Sequence, residues 1–320
     1  MATVLATPLL VATASGAEAL SKEDTCSLAY VLQAGDLAAR RALVVSQLAD
    51  SKRDVLILDR NYSGNDKPWS VAEVQTIRQA QPARRVIAYL SIGEAEDYRE
   101  YWQKNWSVSD DGKRSKATPS FVVAPNPNWP GNYKVRYWDK RWQALVFKQL
   151  QEIVAAEFDG IYLDIIDAFE LFEYDAATDQ WLSHRKNPAT GRTFRQDMVR
   201  WVQKLARRAR SIRPGFVVVP QNGSALLENP DYVQIVDGIG IEDLYTVDNT
   251  PQDPLHTQEV LGHLQHLKNA RKPVFLVEYT QIPRQRDGIR RAAIQEGFVV
   301  LFTNRALNQI GTSPACGASS

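Results

Sequence analysis

Cysteine is almost missing from this 320-residue chain: Cys26 and Cys316 lie near opposite ends, and neither belongs to a CxxC or Cys/His zinc pattern. A thiol nucleophile and a zinc ribbon are thereby excluded. An excess of either charge is missing too, with 38 Lys+Arg against 37 Asp+Glu and a formal charge of +1. The chain therefore has no electrostatic footprint for a nucleic-acid backbone or an anionic membrane. No segment reaches the roughly 18 apolar residues of a membrane span. HExxH, P-loop and GxSxG motifs are absent. The four histidines, His184, His256, His263 and His266, close no predicted strand, so a barrel metallohydrolase site and Ser–His catalysis both lack candidates. An enolase-type magnesium site lacks its Lys or His base at a strand end.

What is present is a composition of 44% apolar and 23% charged residues, enough for a soluble protein with a substantial core. Residues 1–26 form a tail or signal-like segment, with an apolar stretch from Val4 to Ala14 followed by Ala17-Glu18-Ala19. This predicts export to the periplasm or beyond. The missing basic n-region keeps a plain tail, and a cytoplasmic location, as the competing reading.

Eight short apolar runs read as buried strands: Leu28–Leu32, Val55–Leu58, Val86–Ile92, Gly160–Leu163, Phe216–Val219, Gly238–Ile241, Pro273–Val277 and Phe298–Phe302. Helical patterns separate them. Trp142, Val146, Leu150, Ile153 and Val154 keep one face, as do Phe194, Met198, Trp201, Val202, Leu205, Ala209 and Ile212. Continuous apolar runs joined by helical crossovers predict parallel strands. An open doubly wound sheet would carry a glycine-rich phosphate turn after the first strand, where this chain has Gln33-Ala34-Gly35-Asp36. The expectation is an α/β fold, a single (β/α)8 TIM barrel over residues 27–312 with a short tail at 313–320. Its long loops would be Ala95–Tyr137 after strand 3 and Ile165–Gly191 after strand 4.

In such a barrel the site lies at the carboxyl ends of the strands. Those ends carry Asp59, Glu94, Asp164 and Asp167, Gln221-Asn222, Glu242-Asp243, Glu278-Tyr279 and Asn304-Arg305. A carboxylate directly after an apolar run is costly unless it is solvated, paired or used, and any single one could be a helix cap or an ion-pair partner. As a set they predict a polar pocket. Asp164 and Glu242, from next-but-one strands, can face each other across it; a separation of about 5–5.5 Å suits a retaining glycosidase and about 6.5–9.5 Å an inverting one. Trp102, Trp106, Trp129 and Trp138, with Tyr98, Tyr101, Tyr133 and Tyr137, crowd the loop after strand 3, and Trp181 follows strand 4. Such rings suit sugar faces, and they equally suit the small core that a long insertion needs.

Three stretches, Val86-Ile-Ala-Tyr-Leu-Ser-Ile-Gly-Glu-Ala-Glu-Asp-Tyr98, Gly131-Asn-Tyr-Lys-Val-Arg-Tyr-Trp-Asp139 and Phe158-Asp-Gly-Ile-Tyr-Leu-Asp-Ile-Ile-Asp167, resemble the endo-α-1,4-polygalactosaminidase group, glycoside hydrolase family 114, and its bacterial and archaeal relatives. The resemblance runs from about Ser27 to Ile310. It implies a (β/α)8 barrel acting on α-1,4-linked galactosamine polymers, with an Asp after strand 4 and a Glu after strand 6 as the catalytic pair, here Asp164 and Glu242. Asp164 would attack the anomeric carbon while Glu242 protonates the leaving oxygen. Asp59, Glu94, Asp167, Asn222 and Glu278 would line the pocket, and Tyr89, Tyr137, Tyr245 and Tyr279 would supply hydroxyls or stacking. No cofactor or metal is called for, and the expected partner is a polysaccharide or oligosaccharide bound by a monomer. The alternatives are a barrel that binds a polysaccharide without cleaving it and a glycosidase of a different glycan. In an exported protein Cys26 and Cys316 could meet beneath the barrel as a disulfide; two reduced thiols are the competing reading.

Overall fold

The structure is a computed structural model that describes residues 20–22, 25–63 and 66–314. The signal-like stretch and Cys316 lie outside the described residues, and with them the expected disulfide.

Eight parallel strands follow one another in chain order: β1 (Leu28–Val31), β2 (Val55–Asp59), β3 (Arg85–Ser91), β4 (Gly160–Asp164), β5 (Val217–Pro220), β6 (Ile239–Glu242), β7 (Val274–Glu278) and β8 (Val299–Phe302). Each matches its apolar run in the sequence to within one residue. The first five form one sheet and the last three another, each in sequential order. A parallel bridge between Gln221 and Gly240 links the sheets, aided by the Asn222 N–H donating to the Gly240 carbonyl at 2.8 Å. Between β8 and β1 the chain beyond β8 does the lacing. The Leu32 N–H donates to the Leu307 carbonyl at 2.9 Å, and the Leu28 N–H to Ser313 Oγ at 3.1 Å.

The principal helices between strands are α1 (Arg41–Asp50), α2 (Val71–Gln79), α3 (Lys140–Ala155), α4 (Ala168–Glu173), α5 (Phe194–Ile212), α6 (Pro230–Ile235), α7 (Pro254–Asn269) and α8 (Pro283–Glu296). Local chemistry sets their starts. Thr193 and Gln196 form a reciprocal capping box at α5, and Asp139 caps α3 by accepting from the Arg141 N–H at 2.8 Å. The predicted apolar faces of α3 and α5 are buried, except that Ile212 in the last turn of α5 is exposed.

Strand residues divide by parity into two cores. Ala29, Val31, Leu56, Leu58, Ala88, Leu163 and Val218 join the helix residues in an outer layer. Leu28, Tyr30, Val55, Ile57, Ile87, Tyr89, Tyr162, Val219, Phe275, Val277 and Leu301 pack with one another on the other face of the strands. This is the period of two expected where both sheet faces are covered. One inward position is glycine for a steric reason: a Cβ on Gly240 would lie 1.7 Å from the Tyr162 hydroxyl oxygen. Gly240→Ala must displace that ring or β6, and should cost about 1–3 kcal/mol of stability. Thermal or denaturant unfolding checks this, and an unchanged midpoint would contradict it.

After β3, segments Glu94–Glu96, Val122–Pro125 and Asn132–Val135 form an antiparallel sheet. Most of the insertion's tryptophans supply its core: Trp102 stacks on Tyr133 at 4.5 Å and meets Trp106 at 5.3 Å, while Trp138 packs on Phe172 at 4.7 Å. After β4, α4 leads into a small hairpin pairing Tyr174–Asp175 with Gln180–Trp181.

Candidate active site

The inward parity of the strands continues past their last apolar residues, and it decides which side chains reach the mouth. Val55, Ile57 and then Asp59 face in on β2; Gly160, Tyr162 and Asp164 on β4; Val217, Val219 and Gln221 after β5; Gly240 and Glu242 on β6; Phe275, Val277 and Tyr279 after β7. Asp164 accepts from the Tyr89 hydroxyl at 2.7 Å and from its neighbour's backbone, the Ile165 N–H, at 2.8 Å. Glu242 accepts from the Tyr279 hydroxyl and the Gln221 side-chain amide, one on each carboxylate oxygen. Gln221 in turn accepts from the Tyr30 hydroxyl at 3.1 Å. The Asn222 side chain receives the Glu242 backbone N–H at 3.1 Å.

Backbone strain concentrates beside these groups. Ile165, Asn222 and Asp243 each directly follow an inward residue of the mouth, and they adopt left-handed φ values of 58°, 59° and 55°. For β-branched Ile165 this conformation is a true outlier, costing on the order of 1–3 kcal/mol. Close packing holds it. Gly93 lies so near that a Cβ there would fall 2.2 Å from the Ile165 carbonyl oxygen.

Burial is the main electrostatic influence. It lifts Asp164 from the usual carboxylate range to about 7, against the pull of its two donors. Glu242 is lifted to about 7, by burial first and by the facing charge of Asp164 second. Asp167 rises to about 6 through burial and the nearby Glu170 charge, and Glu278 to about 7 mainly through burial. Each of these folded-state values exceeds the unfolded one, so the folded protein binds more protons and loses stability as pH rises from about 4 to about 7. Glu242→Gln removes one contributor. It should stabilise the protein by on the order of 1–3 kcal/mol at pH 7.5, with the gain vanishing near pH 4. Paired melting curves at the two pH values test this; equal midpoints at pH 7.5 would contradict it.

Other expected residues divide between the mouth and its supports. Tyr89, Asp164, Asn222, Glu242 and Tyr279 converge as described. Asp167 lines a cleft of about 420 Å³ that also contains Glu242, Asn222 and Glu170 and runs toward α7. Asp59 is clamped by Arg99 at 2.9 and 2.6 Å, and the same guanidinium holds Glu96 at 2.8 Å. Glu94 is fully buried in the inserted sheet, bonded to Asn126 at 2.9 Å and Lys134 at 2.6 Å. Tyr245 is half-buried, and its backbone N–H donates to Glu278 at 2.8 Å.

Two expected pocket residues are not brought to the pocket. Glu278 is adjacent to inward-facing Tyr279 and so points to the opposite face, where it is fully buried and receives Thr246 Oγ1 at 2.6 Å. It fastens the loop after β6. Tyr137 is likewise fully buried, and it donates to the Phe194 carbonyl at 2.7 Å, tying the first insertion to α5. Three mouth residues go beyond the expected set. Gln221 and Tyr30 could have been found by counting parity from the apolar residues below them. Arg305, placed by the sequence at the end of strand 8, holds Asp243 through two 2.9 Å contacts and covers the Tyr279 ring at 4.4 Å, a pairing with no local signal. Among the described residues no group of three His, Cys, Asp or Glu side chains converges as a metal site, and no helix is long and apolar enough to cross a membrane. Two shallow depressions of about 520 Å³ on the outside of the first insertion, around Trp106 and Lys113, contain none of these carboxylates.

The family model of glycoside hydrolase family GH114 matches residues 13–319. The chain belongs to that family. A Deinococcus radiodurans protein is 35% identical over 256 residues, covering 80% of this chain and 74% of its own. A Methanocaldococcus jannaschii protein is 27% identical over 299 residues, covering 89% and 78%. Among solved structures, the glycoside hydrolase domain of PelA from Pseudomonas aeruginosa matches with a TM-score of 0.62 at 16% identity, over 91% of this chain and 98% of that one. Aspergillus fumigatus Ega3 in complex with galactosamine also matches at 0.62, with 14% identity over 95% and 100%. At such identities the likeness concerns the fold, and it agrees with a TIM-barrel-like arrangement of the parallel strands. GH114 membership makes a carbohydrate the expected partner and glycosidic-bond hydrolysis the expected reaction.

Proposed function

We propose that this GH114 protein is a retaining, endo-acting hydrolase of an α-1,4-linked galactosamine-containing polysaccharide, working from a closed (β/α)8 barrel with Asp164 as nucleophile and Glu242 as general acid and base. The observation that carries the reading is the pair of inward carboxyls at the mouth, both lifted to about 7 and coupled, so that one can be ionised while the other holds a proton. Each carboxyl has two donors aimed at it, a hydroxyl and a backbone N–H on Asp164 and a hydroxyl and a side-chain amide on Glu242, which favour the ionised form. Glu242 lies in Asp164's field, which favours its protonated form. The Tyr279 hydroxyl that donates to the Glu242 carboxylate can turn to accept once that group carries a proton.

Glycosylation forms the bond from Asp164 to the anomeric carbon as the glycosidic bond breaks, and the Glu242 proton goes to the departing oxygen. The ionised Glu242 then takes a proton from water, which displaces Asp164 and restores the starting state. The carboxylates at the mouth, Asp167 and Glu170 among them, suit a sugar that carries protonated amines. Ega3 in complex with galactosamine supports that choice of sugar. Proton NMR of the first product released from α-1,4-galactosaminan tests the reading. The α anomer should appear first; initial β anomer would mean direct attack by water, and no product would remove this polymer as the substrate.

A further inference from the structure

The cleft does not end at the catalytic carboxylates. Asp167 and Tyr174 are the residues that cap α4, and Asp167, Glu170, Leu171 and Tyr174 follow the i, i+3, i+4, i+7 spacing of one helix face. That face is open: Glu170 is exposed, as are Leu171 at 42% and Tyr174 at 37%. Asp167 and Glu170 line the cleft itself, so the face leads outward from it over about 10 Å at roughly 1.5 Å per residue. At its far end Tyr174 pairs with Trp181 across the small hairpin, with ring centroids 5.2 Å apart. Trp181 is 66% exposed, more than any other tryptophan or tyrosine among the described residues.

The hairpin is held in place. Arg185 donates to the Tyr174 carbonyl at 2.6 Å, Tyr174 donates its hydroxyl to Asp179 at 2.8 Å, and the Leu182 N–H donates to the Glu173 carbonyl at 2.9 Å. Phe172, two residues before Tyr174, anchors the helix by stacking on Phe194 at 5.3 Å. Fixed, exposed rings joined to a cleft suit a planar apolar ligand face with polar edges, which is what a pyranose offers.

We propose that Tyr174 and Trp181 form a stacking platform for a glycan chain at a distance from the cleavage point, so that this loop selects long polymers over short oligosaccharides. The proposal rests on the reading of the protein as a polysaccharide hydrolase. Its test compares the wild type with Trp181→Ala and Trp181→Phe, using an α-1,4-galactosamine oligosaccharide too short to leave the cleft and the full-length polymer. Trp181→Ala should weaken polymer binding and raise its KM roughly tenfold, leave the kinetics on the short oligosaccharide and the melting midpoint unchanged, and be rescued by Trp181→Phe. Polymer parameters unchanged in Trp181→Ala would overturn the platform while wild-type turnover still upheld the hydrolase reading. A polymer that the wild type neither binds nor cleaves would overturn both; binding without cleavage would overturn the hydrolase reading, and the platform with it if that binding survived Trp181→Ala.

Discussion

Asp164→Asn should abolish turnover, lowering kcat by about 10⁴-fold or more, equivalent to about 5 kcal/mol of lost transition-state stabilisation, while the melting profile stays cooperative. The amide keeps the size of the carboxylate: its oxygen can still accept from the Ile165 N–H, and its NH2 can donate to the Tyr89 hydroxyl oxygen once that hydroxyl turns, so the mouth retains its shape. What it lacks is a nucleophilic oxygen. A second effect separates this reading from simple damage. The Asp164 charge is one of the forces lifting Glu242, so in Asp164→Asn the Glu242 pKa should drop from about 7 toward the ordinary carboxylate range. Carbon NMR of labelled glutamate reads this shift. A Glu242 titration unmoved by the substitution would show that the two carboxyls do not face one another electrostatically.

Glu242→Gln should lower kcat on a natural glycan by roughly 10²–10⁴-fold, with far less loss on an aryl glycoside whose leaving group needs no proton. The pH profile carries the same information. Wild-type activity needs Asp164 ionised and Glu242 protonated, and both sit near 7, so the profile should be a narrow bell whose limbs belong to the coupled pair. In Glu242→Gln the alkaline limb should disappear. A bell of unchanged width in the variant, or equal losses on natural and aryl substrates, would remove Glu242 as the acid. The expected stabilisation of this variant at pH 7.5 is the other side of the same chemistry: a carboxyl kept protonated by burial is useful in the reaction and costly to the fold.

Much of this was legible in the sequence because the governing physics is local. Parallel strands covered on both faces must be apolar at every position, and all eight announced themselves in that way. Asp164 and Glu242 were visible because a carboxylate closing such a run needs an explanation. Counting parity along the same runs would also have turned Gln221, two residues after Val219 and already at a strand end, inward, and would have separated Tyr279 from Glu278, since neighbours on a strand cannot both face inward. Other features had no local signal. Nothing in the sequence around Ile165 indicates its left-handed backbone, which is imposed by the loop after β3 approaching at Gly93. Tyr137 looked like its neighbours in an aromatic-rich loop, and only the path of that loop takes its hydroxyl to the Phe194 carbonyl. The tryptophans likewise divide by tertiary context, with Trp102 and Trp106 packed in the insertion and Trp129 and Trp181 left exposed.

The central claim is that the half-buried pair of Asp164 and Glu242 cleaves glycosidic bonds. Its most direct measurement is the formation of new reducing ends, by mass spectrometry, when the wild type, Asp164→Asn and Glu242→Gln are each incubated with partly deacetylated α-1,4-galactosaminan beside a panel of other polysaccharides. The account predicts a ladder of oligomers from the galactosamine polymer with the wild type and none with Asp164→Asn. Oligomers produced equally by wild type and Asp164→Asn, or a polymer bound tightly by the folded wild type with no new ends, would contradict it, and the second outcome would make this a binding barrel.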